Sequence, residues 1–343
     1  MRKYLIVWLS VICVTVCNAQ DKDSATFYHQ KGLTEKEARR YREAEKHFLR
    51  SLEFSAGNKQ TLTALGDVLI EQNRYAEARV QFQKAEKIDP ADPYIIEKLA
   101  HLSVNMRAWD DVIRYAGEMK KRKIGQPVNF IMAKAYYEQE NYGEALKYCE
   151  YAFKDHPNNA EIPYIAGRCF IEMSNYKRAA GCYEQAIERD STRVNWMYEA
   201  GLTYYAIPDD KKAIYWFEKA AAKGYKQTND FLENLGSAYM NVGDIEKGAG
   251  YLKQVLARKP NDKELMYDIA DAYYKSGKYQ EAIDQWDQVL AVDKENANAL
   301  FMIGMSYIKK GEKQKGQQLC DKAIEMDPSL KNNRQERKMP GGM

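Results

Sequence analysis

A small residue recurs along this chain at an almost constant interval, and that recurrence restricts the available folds more than any other feature. Gly32, Gly66, Ala100, Ala133, Gly167, Gly201, Gly236, Ala270 and Gly304 follow one another at spacings of 34, 34, 33, 34, 34, 35, 34 and 34 residues. Twelve positions after each stands a second, mostly small residue, from Ala44 and Ala78 to Ala282 and Gly316. Further along each unit comes a larger side chain in most cases: Phe48, Phe82, Tyr183, Phe217, Leu252 and Trp286. A fixed period of this length marks a stacked-repeat architecture. No single unit can bury its apolar face alone, so neighbours share one core.

Within a period the apolar spacing is helical, and the expected unit is a helix, a short turn and a second helix. The small residues let the two helices approach, and the large residue fills the space beside them. Gly243, Gly277 and Gly311 fall where the two helices of a unit must separate. Pro90, Pro157, Pro260 and Pro328 fall where the second helix must end, because a proline ring cannot continue it. With only 20 Gly and 9 Pro in 343 residues, the composition suits helices over a strand-and-turn fold. Hydrophobic residues at 45% exclude wholesale disorder.

These offsets resemble the tetratricopeptide repeat. Leu235-Gly236-Ser237-Ala238-Tyr239 and Lys278-Tyr279-Gln280-Glu281-Ala282 are similar to that family's two helix motifs. Asp89-Pro90 and Asp327-Pro328 are similar to its closing dipeptide. The resemblance runs from Ala25 to Leu330 and implies an all-α fold, a right-handed α–α superhelix of nine units. The expected units are 25–58, 59–92, 93–125, 126–159, 160–193, 194–228, 229–262, 263–296 and 297–330. Two depart from the pattern. The first carries Lys31 and Glu35 at otherwise apolar positions, as a water-facing end would. The third is one residue short.

The resemblance also implies a function, the binding of a protein or peptide along a concave groove lined by first helices. In the family, the residues three before, one after and four after the small position face that groove. Here those offsets select Phe130, Lys134, Tyr137, Tyr164, Arg168, Tyr198, Tyr205, Tyr267 and Tyr274. Aromatics and arginine dominate binding hot spots, which makes these the candidate partner-binding residues. The competing reading is that such tyrosines pack between neighbouring helices as core. Some relatives clamp a peptide's terminal carboxylate with Lys and Asn. The offset that would carry Asn holds Asp67, Lys134, Arg168, Ser237 or Asp271 here, which argues against that clamp.

Catalysis is not expected. His29, His47, His101 and His156 lie in different units without a shared motif, and no phosphate loop, HExxH or GxSxG sequence occurs. No cofactor, metal or small-molecule substrate is expected, since the cysteine spacings match no zinc pattern. Cys149, Cys169, Cys182 and Cys320 read as small packed hydrophobes, with a Cys149–Cys169 bridge as the alternative if facing helices bring them together. Nucleic acid is not an expected partner. The 52 basic residues nearly balance 49 acidic ones, and Lys120-Lys121-Arg122-Lys123 reads as a helix end.

Residues 1–20 read as a cleaved secretory signal. Arg2 and Lys3 precede an apolar run too short to span a bilayer, and Ala19 precedes the cut. The Asn-Ala-Gln ending resembles exported proteins of the Bacteroidetes type. The expected location is therefore the periplasm or outer-membrane periphery of a Gram-negative cell, with membrane contact only through partners. Residues 21–24 read as a linker and 331–343 as a disordered basic tail. Three function classes remain. One is a scaffold within a cell-envelope complex, another a chaperone-like carrier of extended peptides, and the third an assembly that binds itself.

Overall fold

The computed structural model describes residues 21–331. Among these residues there are eighteen helices and no strand. They fall into two compact units divided between Met173 and Ser174. The first contains α1 (21–37), α2 (Tyr41–Phe54), α3 (Lys59–Glu71), α4 (Tyr75–Ile88), α5 (Pro93–Asn105), α6 (Trp109–Arg122), α7 (Asn129–Glu138), α8 (Tyr142–Asp155) and α9 (Glu161–Glu172). The second contains α10 (Tyr176–Arg189), α11 (Val194–Ala206), α12 (Asp210–Ala222), α13 (Asn229–Asn241), α14 (Ile245–Leu256), α15 (Lys263–Lys275), α16 (Tyr279–Val292), α17 (Ala297–Lys310) and α18 (Lys313–Met326). The expected signal segment, and the tail from residue 332, lie outside the described residues.

Residues 21–24, expected as a linker, are already helical. Packing accounts for this: Ala25 is buried, and the buried Ser51 hydroxyl on α2 donates to the Ala25 carbonyl at 2.7 Å. At the other end, residues 330 and 331 are helical and Leu330 is buried. The short third period has a visible effect. After α6 the chain takes a left-handed turn at Lys123, and α7 begins late and runs only 10 residues.

The small-against-large pattern is the packing device of both units. A β-carbon placed on Gly66 would lie 2.5 Å from the ring of Phe82, and one on Gly201 would lie 2.5 Å from the ring of Phe217. Neither distance is tolerated between carbons, so the first helix must present bare backbone there. Phe48, Phe82 and Phe217 are completely buried in consequence.

The turn within a helix pair needs one residue in the left-handed region. Gly243, Gly277 and Gly311 supply it at φ of 88°, 80° and 103°. Other turns use ordinary residues: Arg39, Asn73, Arg107, Glu140 and Ser174 adopt φ between 54° and 59°. That conformation costs a residue with a β-carbon about 1–2 kcal/mol. Glu140 is exposed. Glu140→Gly should therefore stabilise the protein by about 1 kcal/mol, read as a higher urea midpoint with unchanged slope. A lower midpoint would contradict this account of the turn.

Successive pairs of the second unit are joined by a repeated polar clasp. Tyr204 on α11 donates to Glu184 Oε1 on α10 at 2.6 Å, and Lys212 Nζ on α12 donates to the same hydroxyl at 3.1 Å. One period later, Tyr239 on α13 donates to Glu218 on α12, and Lys247 on α14 donates to Tyr239 at 3.1 Å. Each ammonium also lies 4.6 Å from the ring centre of its tyrosine, where the ring quadrupole attracts it. Burial and then the adjacent glutamate push both tyrosine pKa values up, so the hydroxyls stay protonated and keep donating.

Candidate functional site

The groove-facing offsets put their residues on one face of each first helix, because steps of three and four return to the same side. In the first unit this face is built by α7 and α9. The Arg168 guanidinium lies 5.3 Å from the centre of the Tyr137 ring, and the ring of Tyr142 tilts against Tyr137 at 6.0 Å. Tyr137 is half-buried and burial raises its pKa, with Arg168 opposing the shift. Lys134 and Arg168 are exposed, whereas Phe130 and Tyr164 are half-buried. Phe130 forms a wall of a hollow of about 570 Å³ with Pro127, Ile131, His156 and Pro157. The structure thus brings Tyr137 and Arg168 together, and places Phe130 beside an apolar recess.

Cys149 and Cys169 sit in one apolar cluster of this unit, with Ala133, Ala145, Ile162 and Ile165. Both are buried as small side chains. The Lys120–Lys123 run ends α6, and Lys120 lies 4.6 Å from the centre of the Tyr151 ring while donating to Asn129 at 2.8 Å.

In the second unit the same offsets lead to two different environments. Tyr198 belongs to an aromatic cluster. Its ring stacks on Tyr225 at 4.5 Å and lies 5.6 Å from Phe217 and 5.8 Å from Phe231. Tyr205 faces a groove of about 520 Å³ that runs across three successive first helices. Its walls include Tyr205 from α11, Ser237 and Met240 from α13, and Asp268, Asp271 and Lys275 from α15. A second hollow, of about 250 Å³, lies against α15, α16 and α17 and is lined by Tyr267, Asp268, Asp271, Trp286, Asn298 and Met302. Tyr267 is fixed there, donating to Asn296 Oδ1 at 2.6 Å and meeting Trp286 edge-on at 4.8 Å. Tyr274 packs against Tyr279 at 5.7 Å.

Asp268 and Asp271 line both hollows. Asp271 pairs with Lys275 at 2.6 Å. Asp268 forms no ion pair among the described residues. It is exposed, yet partial desolvation raises its pKa, the like charges of Asp271, Glu264 and Asp262 raise it further, and Lys275 opposes the shift. The offsets used in the sequence reading do include Tyr205, Ser237, Met240 and Asp271, but not Asp268. That residue stands two before the small position, where the other units carry apolar and polar residues alike, from Ala64 and Ile131 to Lys98 and Glu199. The sequence pattern therefore held no signal that singles it out.

No helix of the described residues is long and apolar enough to cross a membrane, and no group of acidic, His or Cys side chains among them is placed to hold a metal ion.

Models of the tetratricopeptide repeat match residues 66–105 and 270–311, 166–226 and 233–288, and 297–330. A model of anaphase-promoting complex, cyclosome, subunit 3 matches residues 128–186. No curated protein matches the chain. Among solved structures, YrrB, described as a TPR protein with an unusual peptide-binding site, is 24% identical. The match covers 56% of this chain and 98% of YrrB, with a TM-score of 0.43. Naa15/Naa10 bound to HypK-THB is 11% identical over 89% of this chain and 64% of that one, with a TM-score of 0.44. PilW, a type IV pilus biogenesis factor, is 18% identical over 60% of this chain and 92% of its own, with a TM-score of 0.37.

Proposed function

Because this chain carries tetratricopeptide repeats, we propose that it is a protein-interaction scaffold that holds a partner segment against the first-helix face. The observation that carries this reading is the groove across α11, α13 and α15. Side chains from three successive repeats converge on one recess of about 520 Å³, long enough in sequence terms to read several residues of an extended segment. Tyr205 and Met240 offer apolar contact at low entropic cost, and Ser237 and Asp271 offer polar selection. In the first unit, Tyr137 and Arg168 supply a second contact surface of the hot-spot type. The reading of residues 1–20 as an export signal supports placing this scaffold in a cell-envelope complex.

Site-specific photocrosslinking in the producing cells tests it. A benzoylphenylalanine in place of Tyr205 or Met240 should capture one defined protein, and the same residue at the exposed position of Asp284 on α16 should not. Equal capture at all three positions, or none, overturns the scaffold reading. A broad smear of unrelated proteins favours a peptide carrier instead. In the same preparation, a mature chain beginning at Gln20 agrees with export, and a retained Met1 refutes it.

A further inference from the structure

We propose that the α13–α15–α17 face of the second unit selects an extended peptide that places a lysine or arginine side chain between Asp268 and Asp271. This rests on the scaffold reading above and adds the chemistry of the partner.

The contrast between equivalent carboxylates carries the inference. Asp67 and Asp271 occupy the same offset, one after the small residue. In the first unit Asp67 is fully engaged by its own chain: Lys36 Nζ lies 2.8 Å from it, Lys98 Nζ 3.4 Å, and the Tyr94 hydroxyl donates to it at 2.6 Å. In the second unit α15 turns two carboxylates toward the same face, Asp268 and Asp271; Lys275 pairs with Asp271 and reaches Asp268 only through its charge. Asp262, which caps the start of α15, and Glu264 in its first turn add like charge. An exposed carboxylate crowded by like charges favours any cation that enters beside it.

Two further observations say that the cation belongs to a peptide. Asp268 and Asp271 stand on the ridge between two hollows, so a bound group there has chain-sized space on both sides. The smaller hollow is walled by Trp286, which is 2% exposed and whose indole Nε1–H has no acceptor among the described residues. A buried donor left unmatched is costly, and a backbone or amide carbonyl admitted by a shift of the hollow's lining would match it. Met240 and Tyr205 on the other side suit an apolar neighbour of the basic residue.

The test uses the full chain and a fluorescein-labelled Ser-Ala-Leu-Lys-Leu-Ala-Ser peptide, with counterparts carrying Arg, norleucine or Glu at the centre. The Lys and Arg peptides should bind about tenfold more tightly than the norleucine peptide, and the Glu peptide more weakly still. Asp268→Asn should reduce the Lys-over-norleucine preference to about twofold or less. Tyr205→Ala should weaken all four peptides by a similar factor. Asp67→Asn, a change in the other unit, should leave the preference intact. No measurable binding of the Lys peptide, or equal binding of the Lys and Glu peptides, overturns the proposal. So does a preference that survives Asp268→Asn. A preference that emerges only after removal of residues 332–343 would assign the face to the chain's own basic tail and also overturn it. Crosslinking from Tyr205 to one defined protein with no basic residue at the contact would retain the scaffold and discard this inference alone.

Discussion

Phe217→Ala should cost the second unit about 3–5 kcal/mol, enough to unfold much of it near physiological temperature. The ring is completely buried. It lies where a β-carbon on Gly201 would collide, with Tyr198 5.6 Å away and Phe231 edge-on at 5.8 Å. Removing it leaves a cavity that bare backbone on the facing helix cannot fill. Neighbouring pairs lose their shared core at the same time, since repeat stability is carried by nearest-neighbour interfaces. Hydrogen exchange should show lost protection over α11–α13 and little change over α3–α5. Tyr215→Ala, on the exposed side of the same helix at 53% exposure, is the matched control and should stay within about 0.5 kcal/mol. Equal destabilisation by the two would remove the small-against-large packing from this account.

Tyr198→Ala is the second large effect, about 2–3 kcal/mol, because its ring completes the cluster with Phe217, Tyr225 and Phe231. Tyr198→Phe should cost no more than about 0.5 kcal/mol. The hydroxyl's one described hydrogen bond, from Asn234 Nδ2, is long at 3.4 Å. Urea denaturation of the three proteins measures both steps. A phenylalanine variant as weak as the alanine variant would show that the hydroxyl, not the ring, holds the site. The result also governs how binding is tested. Partner capture lost with Tyr198→Ala is ambiguous, whereas capture lost with Arg168→Ala or Tyr205→Phe reports on a surface. Arg168 is exposed and Tyr205 half-buried in its groove.

The recurring Gly or Ala and its bulky partner made the helix pairs readable, because that contact is enforced by hard sterics at a fixed sequence distance. Phe82 against Gly66 is such a case. The turns were half readable. Gly243, Gly277 and Gly311 announce a left-handed residue, but Arg107 and Glu140 adopt it without any compositional sign. Both are exposed, and the left-handed step is required by the junction between the helices they join, which local sequence does not encode. The site was legible only as a helix face. Period arithmetic selected Tyr205 and Asp271, yet it treated Asp67 and Asp271 alike. Whether a carboxylate is neutralised depends on residues about thirty positions away, such as Lys36 and Lys98 for Asp67. For Asp268 no such residue arrives. Likewise the stacking of Tyr198 depends on Tyr225, twenty-seven positions on, which its offset does not announce.

The polar clasps have a consequence for the length of the array. Each draws its glutamate from one helix pair and its tyrosine and lysine from the next; the tyrosine-to-lysine spacing is 8 in both, while glutamate to tyrosine is 20 in one and 21 in the other. Excising residues 194–228 would put Tyr239 and Lys247 at the sequence distances from Glu184 that Tyr204 and Lys212 now hold. The chain is in this sense spliceable: a whole period can leave, and the cut ends present one another with a ready-made joint.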